Sequence, residues 1–123
     1  KISKLINYPI ENAENLQLVN YKKGQRYSYH YDGYDKNDIR IQKGQRIITC
    51  LIYLNDLNEK SGGSTHFNKL NINVYPKKGR LLVFKNTKNL SNELNLLSQH
   101  AGLEILEGEK WACNIWFRDK IYV

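Results

Sequence analysis

Gln45-Arg46-Ile47-Ile48-Thr49-Cys50-Leu51-Ile52-Tyr53-Leu54 is the stretch whose reading decides the fold. Ile47, Ile48, Cys50, Leu51, Ile52 and Leu54 make it almost continuously apolar, and its β-branched content favours a strand. A short run apolar on both parities suits a central strand covered on both faces. Turn-like marks punctuate the chain around it: Lys22-Lys23-Gly24, Asp32-Gly33, Lys43-Gly44, Ser61-Gly62-Gly63, Lys77-Lys78-Gly79 and Glu107-Gly108. Runs rich in β-branched and aromatic residues lie between them and predict strands over Leu16–Tyr21, Arg26–Tyr31, Gln45–Leu54, Ser64–Phe67, Asn71–Tyr75, Arg80–Phe84, Gln99–Ile105 and Lys110–Arg118. Short strands at this spacing read as an all-β sandwich or barrel. Only Leu90–Leu97 has helix-forming composition. In Lys110–Arg118, one side carries Trp111, Cys113, Ile115 and Phe117, and the other Lys110, Ala112, Asn114 and Trp116. The second face is polar at one end, where a lysine needs a reason.

Composition fits this reading. The chain has 123 residues, about one domain on a prior of roughly 150 residues. Hydrophobic residues at 41% and charged residues at 25% exclude wholesale disorder. No apolar run approaches the roughly 18 residues of a membrane span. Cys50 and Cys113 are too few for a disulfide scaffold and sit in apolar runs, as small buried hydrophobes do. The net charge of +7 is compatible with an anionic partner, but the basic residues are scattered, which argues against nucleic acid. The chain opens mid-stream at Lys1-Ile2-Ser3 without a methionine, and is expected to be a single core, 1–123, excised from something longer.

Three histidines can be weighed one by one. In Tyr27-Ser28-Tyr29-His30-Tyr31-Asp32, strand alternation puts Ser28, His30 and Asp32 on one face and the tyrosines on the other. Two such residues can be neighbouring ligands of one metal ion, although a bare H-x-D is more often a surface polar pair. His100, heading a later strand, is the natural third ligand. Two histidines and one carboxylate form the donor set of non-haem Fe(II) oxygenases. His66 has no carboxylate at matching spacing and reads as a non-ligand near the site. Lys110 follows His100 by ten residues. An oxygenase using 2-oxoglutarate needs a cation for the distal carboxylate, with hydroxyls sharing its oxygens. Tyr21 and Thr65 are candidate hydroxyl donors. Taken singly, Lys110 also reads as a solvated strand-end lysine and Tyr21 as a core aromatic.

From about Pro9 to Arg118 the sequence resembles the prolyl 4-hydroxylases of the Fe(II)- and 2-oxoglutarate-dependent dioxygenase superfamily. The resemblance is carried by blocks in order: Leu16-Gln17-Leu18-Val19-Asn20-Tyr21, His30-Tyr31-Asp32, Gly44-Gln45-Arg46, Tyr53-Leu54-Asn55-Asp56, Gly62-Gly63-Ser64-Thr65-His66-Phe67, His100-Ala101-Gly102 and Gly108-Glu109-Lys110-Trp111. It implies a double-stranded β-helix, or jelly roll, with little helix and with the usual N-terminal support helices largely absent. It implies Fe(II) on His30, Asp32 and His100, and 2-oxoglutarate held by Lys110, Tyr21 and Thr65. Ascorbate is the implied reductant, and the implied activity is procollagen-proline 4-dioxygenase-like, on a proline-containing protein or peptide near Arg46 and Trp116. Gly33–Gly44 would be a mobile loop closing over that peptide. Arg118 stands where the family often has histidine. Competing expectations are the same chemistry on a lysyl side chain or an alkylated nucleic-acid base, and a catalytically silent jelly-roll binding module.

Overall fold

The computed structural model describes residues 1–89 and 91–123. It contains eight strands: β1 Gln17–Lys22, β2 Tyr27–His30, β3 Arg46–Tyr53, β4 Thr65–Phe67, β5 Ile72–Val74, β6 Leu81–Lys85, β7 His100–Gly102 and β8 Glu109–Arg118. They form two antiparallel four-stranded sheets, in the orders β1-β8-β3-β6 and β2-β7-β4-β5. This is the jelly-roll arrangement that the strand pattern and the resemblance imply. Each predicted strand is present, most of them shorter than the apolar run that announced it. β7 ends at Gly102, because Leu103 and Ile105 instead use their backbone N–H groups on the carbonyls of Ser64 and Gln25.

β3 and β8 are the inner strands of the larger sheet, and their register sorts the side chains. Cys50 pairs with Ile115 and Ile48 with Phe117, so these residues share the outer face. There they form an apolar core with Ile47, onto which Ile2, Ile6, Tyr8, Ala13, Ile52 and Leu81 pack. Cys50 is fully buried, burial pushes its thiol up to about 11, and both cysteines are free. Ile2 and Ile6 belong to a short helix, α1 (Ile2–Ile6), which ends at Asn7 in the left-handed conformation. Leu90–Leu97, the stretch with helix-forming composition, reads as a single turn or a loop. Leu90 lies outside the described residues, and Leu96–Ser98 is a single 3₁₀ turn. At five residues α1 is too short to leave a readable periodicity, and its packed isoleucines hold it in place.

Two bulges re-aim side chains toward the space between the sheets. In β3 the register shifts between Arg46 and Ile48, so Arg46 pairs with Arg118 and joins Thr49 and Leu51 in lining that space. Unbroken alternation would have put Arg46 outside with Ile48. In β2 the register shifts between Tyr27 and His30. This corrects the expected separation of His30 from all three tyrosines: Tyr27 and Tyr31 line the same cavity as His30, and Ser28 does not. Gly62 and Gly63 adopt positive φ, and a Cβ on Gly62 would lie 2.2 Å from the Glu104 carbonyl oxygen. That turn delivers Thr65 inward.

The root of the 33–44 loop is fixed rather than loose. The fully buried Gln45 amide accepts from Tyr34 N at 2.7 Å and Arg46 N at 3.0 Å, and donates to Tyr34 O at 2.7 Å and Asn92 O at 3.1 Å. Tyr34 is buried in consequence, while the tip carries exposed residues such as Ile39 and an Asp38–Arg40 ion pair. Among the described residues no helix is long and apolar enough to cross a membrane. Gln45→Ala leaves Tyr34 N–H, Tyr34 C=O and Arg46 N–H buried without these partners, and is expected to destabilise the chain by at least about 2 kcal/mol. Chemical denaturation measures the loss, and a change below about 0.5 kcal/mol would refute the pinning role.

Candidate metal centre and carboxylate pocket

A cavity of about 720 Å³ opens between the two sheets. At its floor β2 and β7 place His30 directly opposite His100, with ring centroids 4.4 Å apart. Asp32 follows in the bend after β2 and reaches both: its Oδ1 lies 3.1 Å from His30 Nε2 and 3.3 Å from His100 Nε2. One donor atom from each of the three residues lies within 4.8 Å of the others.

The outer contacts of these side chains settle their orientation. His30 Nδ1 is 2.6 Å from Ser28 O and His100 Nδ1 is 2.7 Å from Ser98 O. A carbonyl only accepts, so each Nδ1 carries a proton and each Nε2 turns inward. Asp32 Oδ2 accepts from Thr49 Oγ1 at 2.8 Å and from Trp116 Nε1 at 3.1 Å. Oδ1 and the two Nε2 atoms therefore converge on one point. Three electron pairs facing one another need a cation between them, and the two-nitrogen, one-oxygen set fits Fe(II). Without a metal, the protonated imidazole serves. Burial opposes the charge on Asp32, but hydrogen bonds from His100 and His30 outweigh it and hold the carboxyl far below the usual range. Burial likewise opposes a charged His100, and Asp32 overrides it, raising its pKa. Phe84 and Phe67 stack against His100 at 4.9 and 5.4 Å, and Tyr27 against His30 at 3.9 Å.

Lys110 stands at the far end of the cavity, 4% exposed, opposite Tyr21 in the β1–β8 ladder. Among the described residues no carboxylate lies within ion-pair distance of its ammonium. Its nitrogen lies 5.6 Å from the Tyr21 ring centroid and 5.7 Å from that of Tyr53. Burial lowers its pKa to about 8. Thr65, 2% exposed, shares a 2.6 Å hydrogen bond with Tyr53 Oη. Gly102 keeps the space open, since a Cβ there would stand 3.8 Å from Lys110 Nζ and 3.6 Å from Tyr27 Cβ. A buried cation with hydroxyls and no counter-charge fits a small dianion.

On the loop side of the metal point, Arg46 stacks its guanidinium 3.9 Å from the Trp116 ring centroid. Glu14 holds that guanidinium through Nε at 2.7 Å and Nη2 at 3.0 Å. Glu14 also takes Arg118 Nε at 2.9 Å, and Arg118 is buried behind Tyr34, outside the cavity lining. Arg118 thus braces the wall rather than facing a ligand. His66 lies off the site, its Nδ1 2.5 Å from the hydroxyl of the exposed Tyr29. Tyr21, His30, Asp32, Arg46, Thr65, His100, Lys110 and Trp116 all line the cavity, whereas His66 and Arg118 do not. Thr49, Tyr53 and Glu14 went unnamed: the first two look like ordinary strand residues, and Glu14 precedes β1 in a segment with no pattern.

The profile of the 2OG-Fe(II) oxygenase superfamily matches residues 16–118. A protein of Acanthamoeba polyphaga mimivirus assigned as a prolyl 4-hydroxylase is 43% identical over 124 residues, covering 97% of this chain and 50% of its own length. Human prolyl 4-hydroxylase subunit alpha-1 is 33% identical over 124 residues, covering 98% of this chain and 23% of that protein. Among solved structures, the viral collagen prolyl hydroxylase of Paramecium bursaria Chlorella virus-1 in its 2OG complex superposes with a TM-score of 0.78 at 39% identity, covering 87% of this chain and 59% of that one. The chain spans about half the length of the first of these relatives.

The unpaired lysine predicts a pH dependence of stability. Its folded pKa, about 8, lies below the roughly 10.4 of an unfolded lysine. The unfolded state then binds more protons between those values, so stability rises with pH there. Lys110→Met is expected to flatten that rise over pH 8–10 and to stabilise the metal-free chain by about 2 kcal/mol at neutral pH. Urea titrations of both proteins across this range measure it. A variant no more stable than the parent would show that the ammonium is not strained by burial.

Proposed function

The chain belongs to the 2OG-Fe(II) oxygenase superfamily, and from that premise we propose that it hydroxylates peptidyl proline at C4. Its cosubstrate is 2-oxoglutarate, its metal Fe(II), and its products include succinate and CO2. One observation carries the reading: three inward electron pairs and an unpaired buried ammonium share one cavity. When bound, Fe(II) supplies dioxygen activation, with 2-oxoglutarate as the source of two electrons. His30, Asp32 and His100 would hold the ion, and the carbonyls of Ser28 and Ser98 keep both imidazoles in the ligating tautomer.

Lys110 would pair with the distal carboxylate of 2-oxoglutarate, and Thr65 and Tyr21 would share its oxygens through their hydroxyls, with Tyr53 Oη holding Thr65 from behind. Enclosure between the sheets keeps water from this charge pair and strengthens it. Arg46 and Trp116 would form the peptide wall. Because Glu14 takes Nε and Nη2 of Arg46, its Nη1 remains to donate to a backbone carbonyl. The Trp116 N–H is committed to Asp32, so only its ring is left for substrate. The loop tip, whose Asp38 and Arg40 line the cavity beside the exposed Ile39, would cover a bound peptide.

Succinate release is the test, with Fe(II), 2-oxoglutarate and ascorbate as reductant, with and without a proline-rich peptide. The expected result is peptide-stimulated succinate and one added oxygen atom on proline. His30→Ala and Asp32→Ala abolish turnover, while Lys110→Ala raises the 2-oxoglutarate requirement at least about tenfold, the scale of a lost hydrogen bond to a charged group. Turnover indifferent to peptide rejects proline as the substrate. Undiminished turnover in Asp32→Ala rejects the site.

A further inference from the structure

Behind Asp32 lies a polar contact that the reaction does not obviously need. Asn86 follows β6, is fully buried, and donates from Nδ2 to Thr49 Oγ1 at 2.8 Å. Its backbone is clamped, with N–H on Ile47 O at 2.8 Å and C=O accepting from Asn95 N at 2.9 Å. Among the described residues its own Oδ1 has no partner. Leaving a buried carbonyl oxygen bare is costly, so something must fix the amide in this orientation.

Proton accounting identifies what does. Ionised Asp32 can only accept. Thr49 has one hydroxyl proton and spends it on Asp32 Oδ2, so its lone pair must receive an N–H. Asn86 Nδ2 is the donor that meets it. A reversed amide would compete for the Thr49 proton and strip a donor from the carboxylate. Trp116 Nε1 fills the remaining place on Oδ2. Phe84, two residues earlier in β6, packs edge-on against His100.

We propose that Asn86 is a positioning residue that acts through Thr49 to keep Asp32 Oδ2 fully engaged, leaving Oδ1 as the one carboxylate oxygen offered to a metal ion. The proposal rests on the metal-site reading above. Asn86 also sits beneath the Asp32–Gly33 bend, where a Cβ on Gly33 would lie 3.4 Å from Asn86 Cβ. A purely packing role there would weaken metal binding equally on the parent and Thr49→Val backgrounds, whereas action through Thr49 would not.

The test measures Mn(II) binding by the metal-free chain, using electron paramagnetic resonance of free ion, alongside the thermal midpoint. Asn86→Leu, which keeps the branched heavy-atom skeleton and removes the donor, is expected to weaken Mn(II) about tenfold, within the range seen when outer partners of metal ligands are removed. Thr49→Val weakens it similarly, Thr49→Ser restores it, and Asn86→Leu adds little on the Thr49→Val background, because the two act in series. Unchanged affinity in folded Asn86→Leu overturns the proposal, as does the same weakening on both backgrounds. A parent chain that binds Mn(II) no better than His30→Ala overturns the metal-site reading and this proposal with it. Should Asn86→Leu not fold, the parent chain decides by nuclear magnetic resonance. Zn(II) addition must shift the Asn86 side-chain amide and not that of Asn95, and an unmoved Asn86 signal overturns the proposal.

Discussion

Everything at the centre of this protein depends on burying the carboxylate of Asp32. An isolated carboxylate costs many kcal/mol to remove from water, and this one is 8% exposed. The fold meets that cost atom by atom. Thr49 and Trp116 occupy Oδ2, and the two imidazoles face Oδ1. These partners come from β3, β8, β2 and β7, so strands of both sheets must be in register before the charge is satisfied. The site is thus part of what holds the two sheets together.

Parity explains how so many polar side chains reach one cavity without breaking either sheet. Strands alternate faces strictly, and a chain that kept alternation would carry Arg46 to the outside and Tyr27 away from His30. Each bulge inserts one residue and reverses that assignment locally. The outer face of the larger sheet stays apolar for α1, while the inner face gathers Lys110, Asn114, Trp116, Thr49 and Arg46.

The strands were legible because β-branched runs between glycine turns leave a mark in a single sequence. His30 and Asp32 stand out by their H-x-D spacing on one face, His100 as a second histidine heading a later strand, and Lys110 as a lysine on a mostly apolar strand, and the structure brings them into one cavity. The bulges left no such mark. They arise where two strands must fit one another, which local propensity does not encode. Thr49, Asn86, Tyr53 and Glu14 were invisible for a related reason. Each works by a hydrogen bond to a residue distant in sequence, and nothing beside it hints at the partner.

The cavity is polarised by how its cations are treated. At the loop end, Glu14 neutralises one of two arginines and spreads its oxygens over both, so Arg46 is rigid and mostly quenched. At the deep end Lys110 is left with no carboxylate, and burial alone shifts it to about 8. A fold selected only for stability would have paired this lysine or replaced it with an apolar residue. Leaving it bare would keep a water-poor binding point for one anion in the cavity that also holds His30, Asp32 and His100. The arginine end offers directional donors and a flat indole face, which suit a neutral backbone better than a charge. On the proposed function, the two ends would separate a small dianion from an extended peptide by electrostatics as well as by shape.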